Sequence, residues 1–177
     1  IGDLGPEAYQ WIDFLKDSGT TLWQVLPLGP TGYGDSPYQC FSAFAGNPYL
    51  VSPNLLLDQG LLTREDFTDR PVFPAEGVDY GNAIQWKLTL LSRAFTRFTT
   101  RQDDELQNRF NQFCKENAAW LQDYAIFMAI KESQGGRSWL DWEKALKLHE
   151  PAAVQLFTES NMQAIQEQQF KQFLFFE

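Results

Sequence analysis

The chain has 177 residues, 44% of them hydrophobic, and a formal net charge of −9 at pH 7. This length suggests one domain or slightly more, with enough apolar residues for a core. The acidic charge argues against nucleic acid and against anionic membrane surfaces as partners. No apolar run approaches the ~18 residues that a membrane-spanning helix needs.

Few residue types that carry chemistry are present. Cys40 and Cys114 are the only cysteines, and His149 is the only histidine. Two cysteines in a chain that can form a core are typical of reduced thiols in a cytosol-like compartment. Without a CxxC or HExxH pattern, the sequence predicts no metal site, and it offers no histidine-based triad unless His149 takes part. Aromatic residues make up 15% of the chain, which fits either an aromatic core or rings that stack on sugars.

The first predicted elements are a helix over residues 6–18 and a strand over residues 21–26. Pro6 suits the first turn of a helix, and Gly19 is a candidate C-terminal cap. Apolar residues three and four positions apart predict one buried face, formed by Ala8, Trp11, Ile12 and Leu15. The strand is short, apolar and followed by Pro27. A helix followed at once by a buried strand is an α/β unit, and such units bind ligands at the carboxyl end of the strand.

The functional interpretation depends on residues 22–49, which begin as that apolar run and become a loop. The loop is rich in Gly, Pro, Asp and Ser, as turns are. It also carries five aromatic residues, namely Tyr33, Tyr38, Phe41, Phe44 and Tyr49. Either the loop folds onto the core or it presents rings to a ligand, and composition alone leaves both open. Its position after a buried strand favours a ligand site.

The remaining chain is predicted to be mainly helical. We expect a short helix within residues 50–62 that ends near Gly60, then a capping box formed by Thr63 and Asp66. Residues 69–81 contain two prolines and two glycines, and they should therefore be irregular.

Longer helices are predicted after that segment. One has an apolar face made of Ile84, Leu88, Leu91, Phe95 and Phe98. Another runs from about Asp104 to Glu132, with an irregularity near Asn117 and an end at Gln134–Gly136. A short Trp-rich helix over residues 138–148 and a helix over residues 159–177 complete the chain.

Both ends of the sequence indicate that it belongs to a longer protein. The chain starts at Ile1 rather than Met. Its last helix stops at Glu177, inside its apolar pattern and without a stop signal, so we expect the parent protein to continue.

Asp35 and Asp79 are the carboxylates near the loop. Glycoside cleavage needs two carboxylates, one protonated and one ionised, but Asp35 could equally be a turn residue. Ser36 has no base placed near it and so cannot be an activated nucleophile. The residues alone therefore predict a sugar-compatible loop, in which ring faces pack on the sugar and polar groups bond to its rim. They do not identify a reaction.

Several motifs along the chain say more about its function than the loop alone. They are Ile1–Gly5, Trp23–Thr31, Gly32–Gln39 and Ser42–Tyr49, followed by Val78–Gly81, Trp86–Lys87, Tyr124–Ala129 and Gln172–Phe176. In this order they resemble the N-terminal motifs of the 4-α-glucanotransferases, which are the amylomaltases of bacteria and the disproportionating enzymes of plastids. The resemblance covers essentially the whole chain. One departure is Cys40, where Ser is expected to be common in the family and where another small residue should be tolerated.

The resemblance implies an α/β fold. The chain would be the leading part of a (β/α)8 TIM barrel of the α-amylase type with a largely helical insertion, and it would be helix-rich overall. Residues 1–49 would start the barrel, residues 50–150 would form the helical insertion, and residues 151–177 would return to the barrel. A whole barrel takes about 250 residues, so the rest of the barrel, beyond Glu177, would be a partner of this chain.

The implied reaction moves α-1,4-glucan segments between maltooligosaccharides by a retaining double displacement. One carboxylate attacks the anomeric carbon, another protonates the leaving oxygen, and a sugar hydroxyl then takes the glycosyl group. The family's catalytic carboxylates lie in later motifs, so this chain is expected to have no catalytic residue and to be inactive alone. No cofactor or metal is implied, and the expected location is the cytoplasm, or the plastid stroma in a plant.

The resemblance also assigns sugar contacts. Tyr38 resembles the ring that stacks on the glucose at the cleavage point, with Ser36 as its polar neighbour. Tyr33 and Tyr80 resemble the aromatic contacts to a second, remote glucan site, and Asp35 shapes the substrate-binding loop. Two alternatives stay open: a non-catalytic glucan-binding module with the same rings, and a helical interaction domain whose aromatic residues are all core.

Overall fold

The computed structural model describes residues 2–177, with the side chain of Tyr33 left outside that description. Its α-helices in this range are α1 (Pro6–Asp17), α2 (Pro53–Asp58), α3 (Tyr80–Thr100), α4 (Asp104–Glu116), α5 (Leu121–Ser133), α6 (Lys144–Lys147), α7 (Pro151–Ser160) and α8 (Met162–Phe176). Short 3₁₀ turns lie at Tyr33–Asp35, Pro48–Leu50, Arg64–Phe67 and Trp139–Asp141. Within residues 2–177 no helix has the length and hydropathy needed to span a bilayer.

The core is a cluster of phenylalanine rings where α3, α4 and α8 meet. Its fully enclosed members are Phe95, Phe98, Phe110, Phe170 and Phe173, each at most 4% exposed. The rings of Phe98 and Phe170 are stacked with centroids 4.6 Å apart. Such rings bury large apolar areas and gain further from offset and edge-to-face contacts. Because α8 also packs against α5, it is the central helix of the structure.

The apolar face of α3 is partly as predicted. Leu91, Phe95 and Phe98 are buried, whereas Ile84 and Leu88 are only partly covered. The helix is rotated towards a neighbouring row of residues that includes Lys87, which is 5% exposed.

Two glycines end helices as predicted. Gly19 follows α1 with φ of 75° and Gly60 follows α2 with φ of 70°, values in the left-handed region that glycine adopts without strain. In each case the next residue closes a Schellman motif: Thr20 N donates to Leu15 O at 2.9 Å, and Leu61 N donates to Leu56 O at 2.9 Å.

Two asparagines lie at breaks within predicted helices. An irregularity was expected near Asn117 in the helix over residues 104–132, whereas Asn161 falls inside the helix predicted over residues 159–177, which instead begins at Met162. Asn117 separates α4 from α5, and Asn161 separates α7 from α8. Each side-chain amide donates to the carbonyl four residues earlier, at 2.9 Å to Phe113 O and at 2.8 Å to Phe157 O. A side chain that bonds to its own helix in this way competes with the backbone ladder. The predicted helix over residues 138–148 is likewise divided, into a 3₁₀ turn and α6.

The predicted strand over residues 21–26 does not form, and the predicted buried face of α1 is wrong. Leu22 is 89% exposed, and on α1 Trp11 and Ile12 are 44% and 47% exposed. In the described range the sole bridge between extended segments joins Thr31 to Cys40. A strand needs a pairing partner and a packed face, and residues 2–177 provide neither for this segment.

Candidate functional site

The aromatic loop, defined as residues 27–49, folds back on itself. Three main-chain hydrogen bonds close it: Gly32 N to Gln39 O at 2.8 Å, Phe41 N to Pro30 O at 3.1 Å, and Asn47 N to Leu28 O at 2.7 Å. These bonds bring the start and the end of the loop together, so that its tip projects as a narrow turn.

The tip of the loop presents Tyr38. Gly34 and Asp35 both take positive φ, 66° and 53°, a conformation that glycine and aspartate tolerate better than other residues. Ser36 Oγ then accepts a hydrogen bond from Tyr38 N at 3.3 Å. Asp35 and Ser36 therefore shape the turn, and the Tyr38 side chain is left 74% exposed.

A cavity of about 540 Å³ lies against the loop, and Tyr38 forms part of its wall. The other lining residues come from the loop and from the end of α8: Pro27, Leu28, Gly29, Pro37, Cys40, Ser42, Ala43, Phe44, Ala45, Gly46, Phe175 and Phe176. None of these lining residues is Asp or Glu. The cavity thus offers rings and main-chain polar groups, a surface suited to the C–H face of a sugar, and no carboxylate for chemistry.

Phe41 and Phe44 of the loop contact α5 and the residue before it. Phe41 lies 6.0 Å from Phe127 between ring centroids, with the ammonium of Lys131 4.9 Å above its ring. Phe44 stacks on Trp120 at 6.4 Å. These contacts hold the loop against α5 and the turn before it.

Two tyrosines, Tyr49 at the end of the loop and Tyr124 on α5, have raised pKa values. Burial raises the pKa of Tyr49, and the negative charges of Asp35 and Glu132 raise it further. Burial is also the main cause of the raised pKa of Tyr124, which is 7% exposed. Both phenols therefore stay neutral at physiological pH, and that of Tyr124 accepts a hydrogen bond from Gln172 Nε2 at 3.4 Å.

Gln172 of α8 opens the Gln172–Phe176 motif, but no role in the site was predicted for it from the sequence, although it contacts the loop directly. Its Oε1 accepts a hydrogen bond from Gly46 N at 2.8 Å, and its Nε2 donates to Gly46 O at 3.0 Å. The Nε2 group also lies 3.4 Å from Tyr124 Oη. The available signal was weak: a glutamine within the phenylalanine-rich end of the last helix.

Tyr80 and Tyr38 do not share a cavity. Tyr80 is the first residue of α3 and is 47% exposed. Its neighbour Asp79 caps that helix by accepting bonds from Asn82 N at 3.1 Å and Asn82 Nδ2 at 2.7 Å, which lower the pKa of Asp79. Asp79 is thus a helix cap. The side chain of Tyr33, predicted to act with Tyr80, lies outside the part of the chain that the structure describes.

Comparisons with known proteins agree in one assignment. A family model described as 4-alpha-glucanotransferase matches residues 1–177. The 4-alpha-glucanotransferases of Synechocystis sp. and Thermus thermophilus are 43% and 44% identical to this chain over 99% of its length. The matches span 35% and 34% of those relatives.

A solved structure shows the same likeness. It is an amylomaltase from Streptococcus agalactiae in complex with acarbose, 32% identical, with a TM-score of 0.90 over 98% of this chain and 35% of that protein. The chain therefore spans about a third of the length of the relatives it matches, and it belongs to the 4-alpha-glucanotransferase family.

Proposed function

We propose that this chain is the N-terminal part of an enzyme that transfers α-1,4-glucan segments between maltooligosaccharides by a retaining double displacement. The observation that carries the proposal is the exposed ring of Tyr38 in the wall of a cavity, in a chain of this family. In this proposal the nucleophile and the acid belong to the part of the enzyme that this chain, at about a third of its relatives' length, does not span. The enzyme acts in the cytoplasm, or in the stroma of a plastid.

In this proposal Tyr38 is the platform on which a glucose ring stacks, and Ser36 fixes its backbone. Rings of this kind pack their face against apolar C–H groups while water is excluded. The amylomaltase of similar structure holds acarbose, a sugar analogue, which supports a glucan as the ligand. Tyr33 and Tyr80 contribute to a second glucan contact away from the Tyr38 cavity.

The uncovered apolar surface also has a role in this proposal. Trp11, Ile12 and Phe14 on α1 are 44%, 47% and 58% exposed, and the segment after it exposes Leu22 and Trp23. In the complete enzyme, residues 1–49 pair with the remaining strands of a (β/α)8 barrel. Residues 50–150 are the helical insertion, and residues 151–177 return to the barrel.

The test of the binding role is Tyr38→Ala, with Tyr38→Phe as the matched control, in the full-length protein. Loss of the ring should weaken maltotriose binding roughly tenfold, the equivalent of about 1.4 kcal/mol. The phenylalanine variant keeps the stacking face and should stay within about twofold of wild type. Equal affinity of the alanine variant and wild type would refute the assignment of Tyr38.

A non-catalytic glucan-binding module is the second candidate, and the cavity without carboxylates favours it. The two are separated by incubating the full-length protein with maltotriose and analysing the products. A transferase releases glucose and forms longer oligosaccharides, because it passes glycosyl groups to sugar hydroxyls rather than to water. Unchanged maltotriose would leave the binding module as the function.

A further inference from the structure

We infer that Gln172 is a positioning residue for glucan binding: its side-chain amide fixes the aromatic loop to α8 and thereby sets the place of Tyr38. The inference rests on the proposed function for the role of Tyr38. The pair of hydrogen bonds between Gln172 and Gly46, called the clamp below, is present in the chain without any ligand.

The contact between Gln172 and Gly46 is unusually complete. One side-chain amide satisfies both the N–H and the C=O of a single residue, at 2.8 and 3.0 Å. Gln172 is 1% exposed and Gly46 is buried, so these bonds are shielded from solvent in the folded chain. Buried main-chain groups left without partners cost far more than exposed ones.

The orientation of the amide is fixed by its neighbours. Rotating the amide by 180° would place its oxygen against Gly46 O and its NH₂ group against Gly46 N, so both bonds would be lost. The second hydrogen on Nε2 faces Tyr124 Oη, 3.4 Å away. Gln172 therefore fixes the orientation of the Gly46 backbone as well as its distance from α8.

In this part of the loop the side chains of Phe41 and Phe44 pack on α5 and Trp120, and the clamp anchors the main chain to α8. Between Phe41 and Gly46 the backbone is held locally by Ser42 Oγ, which accepts bonds from Phe44 N and Ala45 N at 3.1 Å each. Gly46 shares the wall of the Tyr38 cavity. The helix on the other side of the clamp is rigidly placed, because Phe170 and Phe173 beside Gln172 are fully buried in the core. The clamp thus ties the loop backbone at Gly46 to a helix of the core.

The experiment compares Gln172→Met with Gln169→Met in the full-length protein. Methionine matches glutamine in length and lacks the amide. Gln169 provides the control because it lies on the same helix and its Nε2 donates to Gln122 Oε1 at 2.7 Å, away from the loop. Hydrogen exchange of the Ala45–Gly46 segment is measured without ligand. We expect exchange on the order of tenfold faster in Gln172→Met, and wild-type exchange in Gln169→Met.

A double-variant cycle then separates positioning from general stability. Gln172→Met should weaken maltotriose binding roughly tenfold when Tyr38 is present. In a Tyr38→Ala background it should have little further effect, because the ring that it positions is gone. Unchanged exchange at Gly46, or the same loss of affinity with and without the Tyr38 ring, would overturn the inference.

A milder variant covers the case in which Gln172→Met does not fold. Tyr124→Phe removes the phenol oxygen that faces Nε2 and keeps the ring volume. It should therefore also speed hydrogen exchange at Gly46 and weaken maltotriose binding, but by less than Gln172→Met does. The result for Tyr38→Ala alone separately tests the proposed function. If that variant binds maltotriose as wild type does, the platform role fails, while the exchange of Gly46 still decides whether the clamp exists.

Discussion

The ammonium of Lys87 lies 3.0 Å from Oδ2 of Asp3, and the two side chains are 6% and 22% exposed. Lys87 Nζ also donates to Val51 O at 3.3 Å. One cation therefore joins the start of the chain, the turn before α2 and the middle of α3. Burial lowers the pKa of Lys87, and the charge and hydrogen bond of Asp3 act in the opposite direction.

Replacing Asp3 should therefore destabilise the folded protein more than replacing Lys87 does. Asp3→Asn leaves a buried cation without its counter-charge and should cost about 3 kcal/mol of unfolding free energy. Lys87→Met removes that cation, so the double variant should be more stable than Asp3→Asn alone. Urea denaturation of wild type, the two single variants and the double variant measures these differences in unfolding free energy. A double variant less stable than Asp3→Asn would show that the pair does not act through burial of charge.

Asp66 should make the protein sensitive to acid. Its Oδ2 lies 2.6 Å from Arg97 Nη1 and accepts a bond from Thr63 N at 2.8 Å, which is the acidic half of the predicted capping box. Burial acts to raise the pKa of Asp66, but the bonds from Arg97 and Thr63 together with the arginine charge bring it below the ordinary 3.8.

A carboxyl with a depressed folded pKa contributes stability above its unfolded pKa, and that contribution is lost as pH falls through the folded value. Asp66→Asn should thus be less stable than wild type at neutral pH. The difference should shrink once the pH falls below 3.8, as followed by unfolding free energies across the acid range. A difference that does not change with pH would contradict this account.

Gly46→Ala should disturb the loop by contact alone. A Cβ at this position would collide with the ring of Phe175, so the loop or the end of α8 must move, at a cost of about 1–3 kcal/mol. Gly77→Ala is the control, since a Cβ there meets no atom within 4 Å. Thermal unfolding compares them. Adding Phe175→Leu should recover part of the loss, and absence of any recovery would point away from the ring.

The isolated 177-residue chain should self-associate. Its exposed apolar surface includes Phe14, Leu22 and Trp23, which are 58%, 89% and 51% exposed, and patches of this kind drive aggregation. Size-exclusion chromatography with light scattering at rising concentration checks this, with Phe14→Glu/Trp23→Glu expected to reduce the association. A monomer with one sharp cooperative melt would argue that the surface needs no partner.

Local chemistry explains which parts of the fold could be predicted. Gly19 and Gly60 end their helices as expected because a left-handed residue after a helix is a property of a few neighbouring residues. Asn117 was recognised as an irregularity but not as a full break, since its bond to the carbonyl of Phe113 competes with the helix ladder only in the folded geometry.

The burial of individual side chains was harder to predict, because it depends on which distant segment packs against each helix face. The pattern of Trp11 and Ile12 is that of a packed helix, and yet both are exposed in the described structure. Conversely, Lys87 reads as a surface residue and is buried against Asp3. Periodicity identifies a face of a helix, whereas its partner is set by distant parts of the chain.

The candidate site was also predictable only in part, because some of its contacts join distant parts of the chain. The exposed turn with Tyr38, Ser36 and Asp35 follows from local turn chemistry and from the family motifs. The position of Tyr80 outside that cavity depends on how α3 packs. The contact of Gln172 with Gly46 could not be inferred from either sequence neighbourhood.

Gly46 and Gln172 are 126 residues apart in the sequence and yet touch. The helices from α2 to α7 therefore form a closed excursion that leaves the loop and returns to the same point. This segment also contains α3, α4 and α5, whose packing places α8. Tolerance of insertion follows burial rather than the closeness of the two ends. Changes in length should therefore be tolerated in exposed connections such as residues 135–137, whereas loss of the rings of Phe95, Phe98 and Phe110 would release α8 and with it the aromatic loop.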